Sequence, residues 1–257
     1  SGFIIHAGIG YTVTMELTTG PILLLTVTAF VCWSALYGLF CWLQPHRSYE
    51  WNCRVVVLIH AVTVLSMSST FGFLYNPWPF THPGNKSNIY EITTMIVCLG
   101  YFLFDFCWCV WFYDDETKIM IVHHLVSIIG IAASLVTGLS GTEIGTCIFL
   151  AELTNPMLQF RWFMRSSGIK EGWVYELNDL MFMLMFALCR CVIASFFLYR
   201  HIKHPRPKPF FKVGGVALYL VGIVMFGHIV VFGYHKYTKL YRRWKSRDKT
   251  IENNKAK

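Results

Sequence analysis

Long apolar stretches, separated by short polar segments, recur along the whole chain. Each is about 20 residues long, the length that a helix needs to cross a hydrocarbon core of about 30 Å. Seven can be marked out, at residues 21–43, 53–75, 89–112, 119–138, 142–163, 179–199 and 212–234. None alternates polar and apolar positions as the strands of an outer-membrane barrel do. The pattern predicts an all-α polytopic membrane protein with about seven transmembrane helices.

Composition agrees with a membrane protein. Only 14% of the 257 residues are charged and 55% are hydrophobic, whereas soluble domains are roughly 25% charged. All nine cysteines lie in or at the ends of apolar stretches, and no C-x-x-C pair occurs. Buried thiols of this kind are mostly small hydrophobic groups. We therefore expect no zinc site, and neither a metal nor a cofactor.

The net charge of +8 is concentrated at the C-terminus, where the last apolar stretch is followed by HKYTKLYRRWKSRDK. A basic cluster directly after a span predicts a cytoplasmic tail that contacts anionic headgroups, rather than a nucleic-acid site. With seven spans, the N-terminus is then lumenal. One loop disagrees, because YRHIKHPRPKPFFK places five basic residues on the predicted lumenal side. A six-span topology would remove the disagreement at that loop but would create disagreements at the other loops.

Two features concern the lumenal side of this topology. Asn85-Lys86-Ser87 is an N-glycosylation sequon in the predicted lumenal loop, so Asn85 is a glycosylation candidate. Residues 1–14 contain no basic residue of the kind that opens a secretory signal peptide. Met15 is therefore a candidate for the native start.

Ionisable and amide side chains inside the predicted spans are the candidate functional residues. An ionisable group at the centre of a membrane helix costs roughly 2.5–3.5 kcal/mol on insertion scales, so it usually faces a cavity or a partner. The main candidates in this chain are Asp105, His123, His124, Glu152, Asn155, Asp179 and Arg190.

The fifth stretch carries three polar side chains on one helix face. Glu152, Asn155 and Gln159 are spaced i, i+3, i+7. Pro156 should kink or unwind the helix there, since it frees the carbonyl of Glu152. Such a stripe suits either a wet cavity or a hydrogen-bonded seam between helices.

Charged residues in two other spans should have inward partners. Asp179, Phe182, Phe186 and Arg190 share one face of the sixth stretch, where Asp179 either caps the helix start or faces inward. We expect Arg190 to be paired inside the bundle. Asp105 lies among aromatic residues, and Arg190 and the histidines are its candidate partners.

His123 and His124 lie near the start of the fourth stretch. Adjacent positions differ by about 100° around a helix. Both imidazoles can therefore line one wide cavity, but they cannot chelate a metal as an i, i+4 pair would. The alternative is an interfacial or structural role.

Four motifs together resemble the TLC-domain family of endoplasmic-reticulum lipid proteins, which includes the ceramide synthases. They are GYFLFD, the histidine pair, AELTNPMLQFRW, and the spacing of Phe182, Phe186 and Arg190. The resemblance covers about residues 47–240. It separates an N-terminal segment with the first helix, 1–46, from a basic tail, 241–257. It implies that the second to seventh helices form a six-helix barrel around a cavity that admits an acyl chain.

The resemblance also bears on function. In ceramide synthases the equivalent of His123-His124 lines the cavity and takes part in acyl transfer from coenzyme A, together with an acidic motif. In this chain that motif keeps Glu152 but has Asn155 and Gln159 at its other acidic positions. An amide cannot relay a proton as a carboxylate can.

The resemblance thus implies a protein that binds lipid acyl chains and contributes to lipid homeostasis without ceramide synthase activity. Residence in the endoplasmic reticulum is expected on the same ground. The alternative is an acyl-CoA-dependent acyltransferase with a histidine as general base; a receptor or a transporter has less support. The expected lining of the lipid cavity is Asp105, His123, His124, Glu152, Asn155, Gln159 and Arg190.

Overall fold

The computed structural model describes residues 3–7, 11–15, 19–70, 79–114 and 117–255. It confirms an all-α polytopic membrane protein, since six helical segments are each long and apolar enough to span a membrane; one of them, Trp173–Lys203, contains two α-helices joined by a π-helical turn. A short antiparallel hairpin of β1 (Phe3–Ala7) and β2 (Tyr11–Met15) precedes the helices. The helices are α1 (Thr19–Leu43), α2 (Tyr49–Ser69), α3 (Ile89–Trp111), α4 (Lys118–Thr137), α5 (Gly141–Glu152), α6 (Asn155–Ser166), α7 (Trp173–Ala187), α8 (Ala194–Lys203) and α9 (Pro209–Lys255).

The membrane-length helices run between two ends of the bundle. At the Asn85 end, the loop 79–88 contacts the α4–α5 turn, where the Ser140 N–H donates to the Asn85 carbonyl at 2.9 Å. The same asparagine accepts a 2.9 Å hydrogen bond from Arg206, in the loop after α8. At the opposite end, called here the tail end, the ring of Tyr49 at the start of α2 lies 6.1 Å from that of Phe112, just after α3.

The fifth predicted stretch, 142–163, is a broken helix rather than a continuous one. A turn at Leu153 and Thr154 divides it into α5 and α6, of 12 residues each. Pro156, in the first turn of α6, has no N–H to donate to the carbonyl of Glu152, which is the predicted cause of a kink. Both turn residues keep right-handed helical dihedrals, so the chain bends and continues.

The two halves together run from one end of the bundle to the other. α5 begins at the Asn85 end, where the Gly141 N–H donates to Ser87 Oγ at 3.0 Å. α6 ends at the tail end, where Trp162 lies 5.7 Å from the Trp51 ring of α2. The pair therefore supplies a seventh traverse besides the six membrane-length helices.

The first helix packs closely on α3. A Cβ on Gly100 would lie 2.5 Å from Ala29 Cβ and 2.7 Å from Phe30 N, so only glycine permits this approach. Near this contact, Trp33 Nε1 donates to the carbonyl of Val97 at 3.2 Å. α1 is thus held to the centre of the bundle, although the sequence places it outside the predicted barrel.

The basic loop that disagrees with the predicted topology has local partners for several cations. Arg200 Nε donates to the Phe80 carbonyl at 3.2 Å, and Arg206 donates to Asn85. Lys212 Nζ donates at 2.8 Å to the carbonyls of Ile202 and His204, at the C-terminal end of α8. Cations stabilise a helix C-terminus by binding its unpaired carbonyls. These basic residues therefore have a structural role at the Asn85 end.

Candidate functional site

An apolar cavity of about 300 Å³ lies between α4, α5, α8 and α9. Its walls consist mainly of aliphatic and aromatic side chains, such as Ile144, Phe197 and Leu218. The main polar side chains that line it are His123, Ser127, Ser140, Glu143, Arg190, His201 and Tyr219. A mostly apolar pocket with a few polar groups is the usual form of a binding site for an apolar ligand.

The structure brings two of the seven predicted cavity residues to this space. His123 and Arg190 line it. The other five are absent from its lining and have polar partners within the bundle. They are Asp105, His124, Glu152, Asn155 and Gln159.

The two adjacent histidines have different surroundings. His123 lines the cavity. His124 is 2% exposed, and its Nε2 lies 3.3 Å from Asp105 Oδ2. The angle of about 100° between adjacent helix positions separates the two rings in this way. The expectation that both imidazoles line one cavity therefore holds for His123 alone.

Asp105 is the centre of a buried polar cluster. Its Oδ2 accepts a 3.2 Å hydrogen bond from the Tyr101 hydroxyl and lies beside His124. Its Oδ1 accepts a weak hydrogen bond from the Cys53 thiol, at 3.9 Å. Of the candidate partners expected from the sequence, the structure selects a histidine rather than Arg190.

The same cluster contains a possible set of metal ligands. One ligand atom each from Asp105, Cys109 and His124 lies within 4.8 Å of the others. Carboxylate, thiolate and imidazole are all zinc ligands, so these groups could hold one ion. The pairing of Asp105 with Tyr101 and His124 already accounts for its burial without a metal.

The predicted polar stripe forms a hydrogen-bonded chain. Asn155 Nδ2 donates to Glu152 Oε2 at 2.8 Å, and Gln159 Nε2 donates to Asn155 Oδ1 at 2.7 Å. Arg54 of α2 then donates to Gln159 Oε1 at 3.2 Å, and its Nε donates to Glu50 at 2.9 Å. The side-chain amides of Asn155 and Gln159 thus both donate in the direction of Glu152. This arrangement is the seam between helices that the sequence offers as the alternative to a wet cavity.

His60 is a buried residue that the sequence analysis missed. It is fully buried, and its ring stacks on Tyr101 at a centroid distance of 3.5 Å, with Trp33 edge-on at 5.6 Å. Its Nδ1 lies 4.0 Å from Glu152 Oε2. The available signal was an imidazole inside an otherwise apolar stretch. His60 brings the Glu152 chain close to the Asp105 cluster, since Tyr101 contacts both His60 and Asp105.

Glu143 and His201, also missed, line the cavity near the Asn85 loop. Glu143 Oε1 accepts a 2.6 Å hydrogen bond from the Gly84 N–H and lies 3.6 Å from His201 Nδ1. Gly84 has φ of 79°, and a Cβ there would lie 2.7 Å from Pro207 N, so this loop position requires glycine. Glu143 could have been noticed as a carboxylate inside the fifth predicted stretch.

The glycosylation candidate lies in this packed loop. Asn85 is half-buried, and its side chain accepts the hydrogen bond from Arg206. The sequon serine, Ser87, is 1% exposed and accepts the hydrogen bond from Gly141. Modification of Asn85 stays a prediction, and it would have to precede the packing of the loop.

Asp179 belongs to a charged cluster at the tail end. α7 begins at Trp173, so Asp179 is not its cap. It is 1% exposed, and its carboxyl oxygens lie 2.7 Å from Arg161 Nε and 2.6 Å from Lys236 Nζ. Lys236, in the basic segment after the last apolar stretch, therefore pairs inside the protein. Binding of headgroups by the rest of the tail stays a prediction.

Arg190 lies in a π-helical turn, Leu188–Ile193, between α7 and α8. Turns of this kind are rare and occur frequently at functional sites. The side chain lies beside Gly222 of α9, where a Cβ would be in ordinary van der Waals contact with Arg190 Cδ, at 3.6 Å. The guanidinium carbon lies 5.4 Å from the Phe186 ring. This turn thus carries a cation at the wall of the cavity.

Comparison with known proteins identifies the family. The family model described as the TLC domain matches residues 28–237 of this chain. One curated relative, TLC domain-containing protein 4 A of Dictyostelium discoideum, is 24% identical over 145 residues. That alignment covers 55% of this chain and 55% of the relative, so the chain spans about half the length of the protein that it matches. On the extent of the domain match, the chain belongs to the TLC-domain family.

Proposed function

We propose that the protein binds a lipid acyl chain in the cavity between α4, α5, α8 and α9, and that it contributes in this way to membrane lipid homeostasis. The observation that carries the proposal is the composition of the cavity wall, which is apolar except for a few polar groups. Such a wall gains free energy by enclosing a hydrocarbon chain with a polar end. Residence in the endoplasmic reticulum is part of the proposal and has its support in the family likeness.

The arrangement of the polar groups favours binding over ceramide synthesis. A general base needs to lie within reach of the proton that it removes. His123 lines the cavity, whereas the buried carboxyls of Asp105 and Glu152 pair with His124 and Asn155 instead. The amides at 155 and 159 act as hydrogen-bond donors within the seam.

Acyl transfer from acyl-coenzyme A remains the alternative, because His123 does place an imidazole at the cavity. Transfer of the acyl group of added acyl-coenzyme A to an amine or hydroxyl acceptor, lost in His123→Asn, would indicate that activity. Lipid that is bound but not covalently attached would support the binding function.

Mass spectrometry of lipid retained by the purified protein tests the proposal. Gly214→Leu should reduce retained lipid, because Gly214 lines the cavity and a Cβ there meets no atom within 4 Å. Gly227→Leu is the matched control, since Gly227 lies on the same helix, is equally open and is not part of the cavity. Equal lipid in both variants and the wild type would contradict the proposal.

A further inference from the structure

Arg190 is a permanent cation at the wall of an apolar cavity. An arginine side chain stays protonated in proteins. A charge in an apolar environment is costly unless it is paired, and an ionisable group inside a membrane usually marks a partner or a substrate path. The guanidinium therefore needs an anionic or strongly polar partner.

The described part of the chain gives Arg190 no carboxylate partner. Among these residues, no carboxylate oxygen lies within 4.0 Å of the guanidinium, and Nε has no hydrogen-bond acceptor. Glu152 attracts Arg190 from beyond that distance, but its carboxyl accepts from Asn155. The expectation that Arg190 is paired within the bundle is thus not met by an ion pair among the described residues.

We propose that Arg190 binds the anionic headgroup of the lipid that occupies the cavity, a carboxylate or a phosphate. This inference rests on the proposed function, because it concerns the same cavity. A guanidinium can hold either anion through two parallel hydrogen bonds. Arg190 Nε is buried without an acceptor, so the described residues leave the hydrogen-bonding capacity of this group unmet.

The charges around the cavity determine where the headgroup lies. Glu143 and His201 line the cavity close to the Asn85 loop, where Glu143 Oε1 already accepts from the Gly84 N–H and lies beside His201. Arg190 attracts the headgroup, and His123, which lines the same cavity, can donate a hydrogen bond from its imidazole. The acyl chain then lies along apolar side chains such as Phe197 and Leu218.

The cavity has room for one acyl chain in whole or in part. Its volume of about 300 Å³ lies at the lower end of the range for ligand pockets, roughly 300–1,000 Å³. The class of ligand that combines one acyl chain with an anionic headgroup is a fatty acid or a single-chain lysophospholipid with an acidic phosphate.

Equilibrium binding of three probes to the purified protein tests this inference. Palmitate carries a carboxylate, 1-palmitoyl-lysophosphatidate carries a phosphate, and hexadecanol has the same chain length without a charge. Wild-type protein should bind at least one of the anions tenfold or more tightly than hexadecanol, a difference of about 1.4 kcal/mol. The better-bound anion then identifies the headgroup.

Variants of Arg190 separate its role from the apolar contribution. Arg190→Met should abolish the preference for the anion and leave hexadecanol binding within about twofold, whereas Arg190→Lys should keep part of the preference. Arg200→Met is the control and should behave as wild type, because Arg200 is exposed and donates to the Phe80 carbonyl outside the cavity.

Two failures can be distinguished. If wild-type protein binds all three probes equally, the inference about Arg190 is wrong while the lipid-binding function stands. If wild-type protein binds none of them, both are wrong. The comparison of probes on wild-type protein needs no variant, so it remains decisive even if Arg190→Met does not fold.

Discussion

His123 and His124 are adjacent in the chain, yet His123 lines the cavity while His124 Nε2 lies 3.3 Å from Asp105 Oδ2. The first imidazole is available to a ligand, and the second joins α4 to α3. The pair thus combines two separable roles.

Single replacements by asparagine should separate these roles. Asparagine is too short to reach Asp105 as His124 Nε2 does, so His124→Asn should lower the free energy of unfolding by about 1–3 kcal/mol. His123→Asn should change stability less and reduce retained lipid. Thermal unfolding and lipid mass spectrometry on both variants check this. Equal losses of stability, or a full lipid complement in His123→Asn, would contradict the assignment.

Acidic residues placed at positions 155 and 159 of the seam should differ in their effect on stability. Asn155→Asp places a second carboxyl at the atom that now donates to Glu152 at 2.8 Å. Two adjacent carboxylates repel each other, so this variant should lose about 1–3 kcal/mol of stability and recover part of it as the pH falls. Thermal unfolding at several pH values measures the effect.

Gln159→Glu is the matched control for that experiment. Its carboxyl would lie next to Arg54, which donates to Gln159 at 3.2 Å. A carboxylate there pairs with a cation, so the stability of this variant should exceed that of Asn155→Asp. The reverse order would show that the hydrogen-bonded chain is not oriented as described.

The charged cluster at the tail end should be critical for stability. Asp179→Leu leaves Arg161 and Lys236 without their shared carboxylate, and breaking a buried ion pair costs about 3–5 kcal/mol. Glu176→Gln, which removes a partly exposed partner of Lys236, should cost no more than about 1 kcal/mol. Thermal unfolding of the two variants in one detergent gives the comparison, and similar losses would argue against the buried cluster.

The seventh traverse determines the topology. If α5 and α6 cross the membrane together, tags at the N-terminus and the C-terminus should lie on opposite sides, with the C-terminus and its basic tail in the cytoplasm. Protease protection of both tags in sealed microsomes measures this. Both tags on the same side would show that the broken pair does not cross.

The hydrophobic pattern was sufficient to predict where the chain is helical, because each apolar stretch, over the residues that the structure describes, is helical. Stretch 142–163 is a helix pair, stretch 179–199 contains two helices joined by a π-helical turn, and residues 71–75 of the second stretch lie outside the described residues. The break was also predictable, since Pro156 acts through its own missing N–H. The contents of the cavity were harder to predict. Whether Glu152 faces a cavity or a seam depends on where Arg54 and His60 of another helix lie, and periodicity within one helix carries no such information.

Arg190 shows the same limit in a different form. The spacing from Asp179 to Arg190 places both residues on one face only if the helix is α-helical throughout. The π-helical turn changes that geometry between them, and nothing in the sequence pattern indicated it. Asp179 joins the tail-end cluster, whereas Arg190, about three turns further along the helix, lines the cavity.

The π-helical turn also accommodates one extra residue without rotating the rest of the segment. Its i→i+5 bonding encloses one residue more than an α-helical turn does. Deleting one residue between 188 and 193 should therefore restore regular bonding while α7 and α8 stay close to their present rotational phase. Phe197 and His201 would still line the cavity and Asp179 would keep its ion pairs, so the change would be confined to the turn that carries Arg190. The extra residue thus allows the position of Arg190 to change independently of the helices on either side.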